Sequence, residues 1–562
     1  MLLSIRIKKI TNLQVRHLFS TLITGMGWFL FLLPLGIYLW FSWTYSVNIP
    51  YWDDFTILSN LSNFISTNDL FRKLGILFSQ ANEHRVATIR LSFLAYYYLF
   101  GDLNFKAVNL FANLVWVATA LFLSYQYMPK GKTFNPWYVL PLPYFLFSLA
   151  ASECIIWAMG SAPYYFADFF VILFIWALVQ DKRKLSYLFF TLAMFSFGSS
   201  MALYPLGCLF LVYKKRYRTL LEFLIYSTLI VFLYFLNYRG DLHNPNIYAS
   251  LTNPIQIIEF IFTFIGAIIR GIEPAAIAMA GALIAGPVVF FILASLVEPI
   301  PEADFPVLVI LFVVFAAGLA GMSRSNLGVY TALAPRYIPY SALFWSSAYA
   351  LIFYIKPVKL KPFILTFALI IGLGLYGWGI ATQNYTSLYE NAKFQRINSI
   401  TRYVTLGDIE ALQGLYPNPI LADQFLKTGE LLGLYKFQTE NLYTPEIYSI
   451  KGKNRRVVEG YVDNFDGGKI AGWAILPDEN AHNSQIWILL KNGPTVYRLK
   501  TSPVARPDVS SFYHQAGKYD ASGFESYLNI YAIPRGNYEI GIMVQNELKT
   551  GILWTSYQFN LP

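Results

Sequence analysis

Charge and thiols are what this chain has least of. Only 13% of its 562 residues are Asp, Glu, Lys or Arg, about half the share of an ordinary soluble domain. Beside it stand 56% hydrophobic and 18% aromatic residues and a mean hydropathy of +0.45. So much apolar surface needs a bilayer to receive it, which excludes a disordered chain, a secreted disulfide scaffold and an ordinary cytosolic enzyme. The two cysteines, Cys154 and Cys208, both lie in apolar runs, so neither a disulfide framework nor a thiolate metal site can be built. There is no Gly-rich phosphate loop, nucleophile-elbow serine, His-rich metal motif, internal repeat or low-complexity tract.

What is present is organised by charge and hydropathy. The net charge of +10 resides in residues 1–381, with 25 Lys/Arg against 15 Asp/Glu, while residues 382–562 hold 17 of each. Basic charge beside apolar spans sets topology and gives no reason to expect nucleic acid. A basic start (Arg6, Lys8, Lys9, Arg16) precedes the apolar run Phe19 to Trp43, which is too long for a signal peptide and reads as a retained first transmembrane helix with the N-terminus inside. Apolar segments follow near 107–127, 137–152, 163–180, 185–198, 201–213, 219–237, 275–297, 305–321, 337–355 and 361–381. The pieces 185–198 and 201–213 are short of the ~20 residues of a full crossing and read as a short or re-entrant pair. The basic clusters Lys130/Lys132, Lys182-Arg183-Lys184, Lys214-Lys215-Arg216/Arg218 and Lys356/Lys359/Lys361 share the N-terminal side if 86–100 and 254–271 do not cross. About 11 crossings result, with the C-terminus outside.

This predicts a polytopic α-helical membrane domain over 1–381 with an outer loop at 44–103, a polar helical extracytoplasmic region at 382–450, and a third region at 454–562. There the period changes: Gln485-Ile486-Trp487-Ile488 alternates, and turns fall at Asn492-Gly493-Pro494 and Arg535-Gly536-Asn537. Short strands between such turns predict an immunoglobulin-like β-sandwich.

The informative side chains are ionisable groups next to apolar spans. Pro50-Tyr51-Trp52-Asp53-Asp54-Phe55 carries a carboxylate pair just after the first helix. Such a pair can supply a general base and a hydroxyl clamp, or cap a helix beginning at Phe55. Asn82-Glu83-His84-Arg85, with Arg90 beyond it, reads either as a polar site or as an interfacial helix start with a snorkelling arginine. Arg324 and Arg336 fall in a second outer loop, Gly321-Met322-Ser323-Arg324 to Pro335-Arg336-Tyr337. A guanidinium fork there suits a lipid phosphate, and snorkelling is the plainer alternative. Glu153, Asp168, Arg239, His243 and Glu273 are explained equally well by ion pairs or loop contacts. Asp463 and Asp466 do not match a calcium loop and read as a turn.

A first helix followed by an outer loop with an acidic pair resembles the GT-C glycosyltransferases, with Asp53-Asp54 where many relatives have Asp-Glu. Asn82-Glu83-His84-Arg85, Phe195-Ser196-Phe197-Gly198, Arg324 to Pro335-Arg336-Tyr337 and Ala411-Leu412-Gln413-Gly414-Leu415-Tyr416-Pro417 are similar to stretches of a poorly characterised bacterial group of that superfamily. The resemblance covers about residues 19–440 and rests on motif order. Gly460-Tyr461-Val462-Asp463, Gly472-Trp473-Ala474 and Arg506-Pro507-Asp508-Val509 resemble a β-sandwich appended to bacterial surface-polysaccharide proteins. Pro335 departs from the group's pattern, which has a small residue before Arg-Tyr. The resemblance implies a multi-pass bacterial inner-membrane enzyme. It would transfer a sugar with inversion from a polyprenyl-phosphate-linked donor to a glycan, lipid or protein acceptor on the outer face. Asp53 would be the base. Asp54, Trp52, Glu83, His84, Arg85 and Tyr337 would hold sugar or acceptor, and Arg324 and Arg336 the leaving phosphate. Some relatives use a divalent metal and others do not. Two further classes fit the composition: a transporter or flippase of lipid-linked saccharides, and a membrane-anchored glycan-binding or scaffold protein.

Overall fold

The computed structural model describes residues 2–129, 133–239, 250–355, 361–437, 445–449, 455–466, 468–477, 479–529, 532–546 and 549–561. His243 and the clusters Lys130/Lys132 and Lys356/Lys359 lie outside them. The chain divides into two compact units, Met1–Asn48 with Thr56–Glu390, and Ile49–Phe55 with Asn391–Pro562.

The first unit is helical. Among the described residues, seven helices are long and apolar enough to cross a membrane: Ser20–Tyr45, Phe105–Gln126, Ala158–Val179, Tyr217–Phe235, Pro274–Val297, Pro301–Leu327 and Phe363–Gln383. This is fewer than the ~11 expected from hydropathy and charge. Proline accounts for one difference. Segment 137–152 does not form a single span, because Pro136, Pro141 and Pro143 divide it into the short helices Pro136–Val139 and Pro141–Leu146, followed by Ser152–Ile156. Each proline withdraws an N–H from the helical ladder and is favoured only in a first turn. Segments 185–198 and 201–213 form Arg183–Met194 and Leu203–Tyr213 on either side of the 3-10 turn Gly198–Ala202. Residues 86–100 and 254–271 yield helices of 14 and 13 residues, Ala87–Phe100 and Pro254–Gly266, each about 20 Å long at 1.5 Å per residue.

Buried polar groups tie the spans together. Tyr38, fully buried, hydrogen-bonds Asn113 and, at 2.7 Å, Tyr165. Asn109 donates to Ser46 Oγ and to the Ile155 carbonyl, both at 2.8 Å. Trp116 stacks on Tyr165 and donates to the Leu146 carbonyl. In hydrocarbon, helices gain little by burying one another's apolar faces, so such bonds and close packing hold them. Outward side chains such as Leu283, Phe290 and Phe363 are more than 70% exposed, as a lipid-facing surface requires.

The second unit begins within the helix Tyr385–Leu406, nine residues beyond the boundary expected at 381/382. Tyr389, in its first turns, is buried against Phe41 and Tyr45 and donates to the Leu149 carbonyl. That anchors the helix start in the first unit. The turn Ile409–Gly414 and the helix Pro419–Leu431 follow.

The strands, counting a two-stranded hairpin of the first unit, β1 (Gln80–Ala81) and β2 (His84–Arg85), run as β3 (Glu446–Ile447), β4 (Arg455–Arg456), β5 (Glu459–Asp466), β6 (Lys469–Ile475), β7 (Gln485–Asn492), β8 (Thr495–Lys500), β9 (Ser502–Val504), β10 (Gly523–Tyr527), β11 (Gly536–Gln545) and β12 (Thr550–Leu561). One sheet has the order β5-β6-β10-β9, the other β3-β8-β7-β11-β12-β4. Val462, Ile470 and Phe524 from the first meet Ile488, Leu490, Ile540 and Ile542 from the second in one core. Setting aside the short edge strands β3 and β4, this is the ABED/C′CFG order of immunoglobulin-like sandwiches. A β-bulge falls between Val462 and Asn464. The Asp463 side chain at that bulge pairs with Arg506, which also holds Asp508.

Candidate functional site

The ionisable motifs of the first unit converge on the β1–β2 hairpin. Gln80 pairs with Arg85 and Ala81 with His84, which leaves Asn82 and Glu83 as the turn. Asn82 has φ +49°, a left-handed conformation that asparagine tolerates better than most residues. Arg85 fixes the hairpin from behind: its guanidinium donates to the carbonyls of Phe78, Tyr234 and Leu236. Arg90 does the same for the approach, bonding the Leu77 and Ser79 carbonyls at 2.9 and 2.6 Å. Arg85, expected to hold substrate, thus gives three of its five N–H donors to backbone carbonyls and clamps the hairpin.

Glu83 and His84 project from the held turn. Glu83 forms an ion pair with Arg324, and its Oε1 lies 3.5 Å from His84 Nε2. The imidazole lies 3.9 Å, centroid to centroid, from the Phe197 ring, which in turn meets Tyr164 at 4.3 Å. Gly198 permits that approach, since a Cβ there would stand 2.5 Å from His84 Nδ1. Arg324 ends the helix Asp304–Arg324. Arg336 sits in the 3-10 turn Pro335–Tyr337, where Pro335 occupies the first position, and pairs with Glu153 at 3.0 Å. Its guanidinium lies 5.7 Å from the Tyr337 ring centroid. Tyr164 and Tyr337 are each within electrostatic reach of both arginines, and the two arginines of one another.

Burial alone would raise the Glu83 carboxyl. The charges of His84 and Arg324, with hydrogen bonds from its own backbone and from Arg324, outweigh burial and hold it below the ordinary carboxylate range. One further cation joins the cluster. Arg270 follows the helix Pro254–Gly266, and its charge is felt by Glu153 and Tyr385. Its Nη2 is buried with no hydrogen-bond partner among the described residues. Three guanidinium groups thus face two carboxylates, a balance that suits a bound monoanion. Arg270 escaped sequence reading because a single cation ending an apolar run looks like any loop residue.

The acidic pair belongs to the second unit. Asp53 and Asp54 open the helix Asp53–Ser66. Asp54 is buried, and its Oδ2 accepts the Tyr51 N–H at 3.1 Å. It closes the turn into the helix from within the first turn; the helix starts at Asp53, two residues before the Phe55 start expected, so Asp54 is not its N-cap. Asp53 is half-buried. Trp52, at φ +46° and 47% exposed, donates its N–H to the Leu415 carbonyl at 2.8 Å. Phe55 meets Tyr416 at 5.2 Å, and Arg396 lies 3.9 Å from the Tyr51 ring centroid. The acidic motif and Ala411–Pro417, far apart in sequence, thus fold as one piece. Among the other candidates, Glu273 precedes the helix Pro274–Val297 without a side-chain cap bond. Asp168 is fully buried mid-way along Ala158–Val179, with neither oxygen bonded among the described residues.

No family model, no curated protein and no solved structure matches this chain.

Proposed function

We propose that the protein is an integral-membrane glycosyltransferase that takes a sugar from a polyprenyl-phosphate-linked donor and passes it, with inversion, to a hydroxyl-bearing acceptor on the extracytoplasmic face. The observation that carries the reading is the half-buried set of Arg324, Arg336 and Arg270 around Glu83 and Glu153. A leaving phosphate needs positive charge fixed where its own charge develops, more than it needs a proton. Arg324 pairs with Glu83 and Arg336 with Glu153 while the site is free, and a phosphodiester competes for the same donors. Glu83 and His84 hold sugar hydroxyls.

The base is assigned to Asp53 through the resemblance in sequence. The acceptor oxygen attacks the anomeric carbon and the bond from that carbon to the phosphate oxygen breaks. The acceptor proton passes to the Asp53 carboxylate, and polyprenyl phosphate departs with the bonding electrons. The sandwich is an accessory domain outside the cell.

One observation favours a second reading. Asp168, a carboxyl midway along a span with no hydrogen-bond partner among the described residues, is what transport of a lipid-linked saccharide uses at the membrane midplane. The two readings separate in proteoliposomes supplied with a bacterial lipid extract. Asp53→Asn abolishes sugar transfer and spares lipid flux if the enzyme reading holds. Flux lost on Asp168→Asn, with no transfer detected in the wild type, establishes transport instead.

A further inference from the structure

The β1–β2 hairpin has a second side. Behind it lies a cavity of about 910 Å³, bounded by the hairpin and its approach, by Thr191 and Phe195, and by the end of the helix Tyr217–Phe235. Its floor is apolar: Phe78, Phe195, Ile230, Leu233 and Leu236. Its rim is polar: Gln80, Asn82, Asn237 and Arg239. Among the described residues two arginines and no carboxylate line it, and Arg85 has committed three of its N–H donors to carbonyls.

Arg239 is the charge left to recognise a ligand. Its backbone is pinned by the Gln80 amide, which donates to the Arg239 carbonyl at 2.8 Å and accepts the Arg239 N–H at 2.9 Å. Its side chain makes no hydrogen bond or ion pair with any described residue. The helix that supplies Ile230 and Leu233 exposes Leu221, Ile225, Leu229 and Phe232 by 54–67%, the mark of a lipid-facing surface. The apolar part of the cavity thus shares a helix with a lipid-facing surface, and Arg239, its backbone held by Gln80, adds an exposed cation to the lining.

We propose that this cavity binds a membrane phospholipid with a phosphate-monoanion headgroup, the phosphate on Arg239 and one acyl chain along Ile230, Leu233 and Leu236. A soluble anion has no use for the floor, and a neutral lipid none for the arginine. The space, near the upper end of ordinary ligand pockets, accommodates a headgroup and the first part of a chain. The site uses none of the residues assigned to the donor phosphate, so it stands whether or not the transferase reading does.

The test is equilibrium binding of fluorescently labelled phosphatidylglycerol to the full-length protein in phosphatidylcholine nanodiscs. Arg239→Glu weakens binding at least roughly tenfold, as loss of a charge-assisted contact requires. Arg239→Gln gives an intermediate loss, and Leu233→Trp, which fills the floor, a comparable one. Arg324→Ala stays within about twofold of wild type. Unchanged binding in both Arg239 variants, or an equal loss in Arg324→Ala, overturns the proposal. So does competition by free glycerol phosphate as strong as that by the lipid, which would make this a soluble-anion site.

Discussion

Arg85 gives the sharpest prediction, because the hairpin that presents Glu83 and His84 depends on it. Arg85→Met keeps most of the aliphatic stem and deletes the donors to the Phe78, Tyr234 and Leu236 carbonyls. Charge-assisted bonds contribute roughly 1.5–3 kcal/mol each. Three independent ones would total about 4–9 kcal/mol, but these share one guanidinium and border a cavity of about 910 Å³ that admits water. The expected loss is therefore about 3–5 kcal/mol, near that for breaking a buried ionic contact. Arg85→Lys, which satisfies fewer of the three carbonyls with a point charge, falls between the variants. The assay is hydrogen exchange over residues 78–90 and 230–239 in detergent, read beside the thermal midpoint. Protection should fall in both segments together, since the clamp joins them, and Glu83 should lose its hold on Arg324. Wild-type exchange in both segments with a midpoint within about 1 °C would refute the clamp.

Three further outcomes follow from the same geometry. Gly198→Ala sets a methyl against His84 and costs about 1–3 kcal/mol in thermal stability, as overpacking does; His84→Ala in the same chain restores most of the loss, whereas additive losses would separate the two positions. Glu83 has a depressed carboxyl pKa in the folded protein, so its stabilisation is fully present above the unfolded value of about 4.3 and disappears as pH falls through the folded one. The stability gap between wild type and Glu83→Gln should therefore narrow in thermal scans taken from pH 6 down to 3, and a gap constant with pH would contradict the pairing. Tyr38→Phe, which removes a hydroxyl shared by Asn113 and Tyr165, costs about 1 kcal/mol in an SDS unfolding titration, the scale of interhelical bonds in membranes.

Much of this architecture can be read from single residues and runs. The seven long spans are plain in hydropathy, and the turn at Asn492-Gly493 marks the β7–β8 hairpin, whereas Arg535-Gly536-Asn537 falls where the chain, crossing from the other sheet, enters β11. Segment 137–152 misled because hydropathy counts Pro141 and Pro143 among apolar surroundings without registering the N–H groups they lack. The site residues were recognisable as out-of-place charges, but their roles depended on partners far along the chain. Arg85 reads in sequence as a ligand group alone, and its clamp role shows only when the carbonyls of Tyr234 and Leu236, about 150 residues on, arrive beside it. Glu153 and Arg336 become a pair only through folding. Asp463 gives no sign in sequence of the bulge where it meets Arg506.

The central claim is that the arginine cluster holds a lipid-linked phosphate. Mass spectrometry of lipids that co-purify with the full-length protein tests it most directly, with wild type compared with Arg324→Ala and Arg336→Ala. The account predicts a polyprenyl phosphate or its glycosylated form on the wild type, depleted roughly tenfold or more in either variant. Ordinary phospholipid alone, in equal amounts in all three proteins, would contradict it.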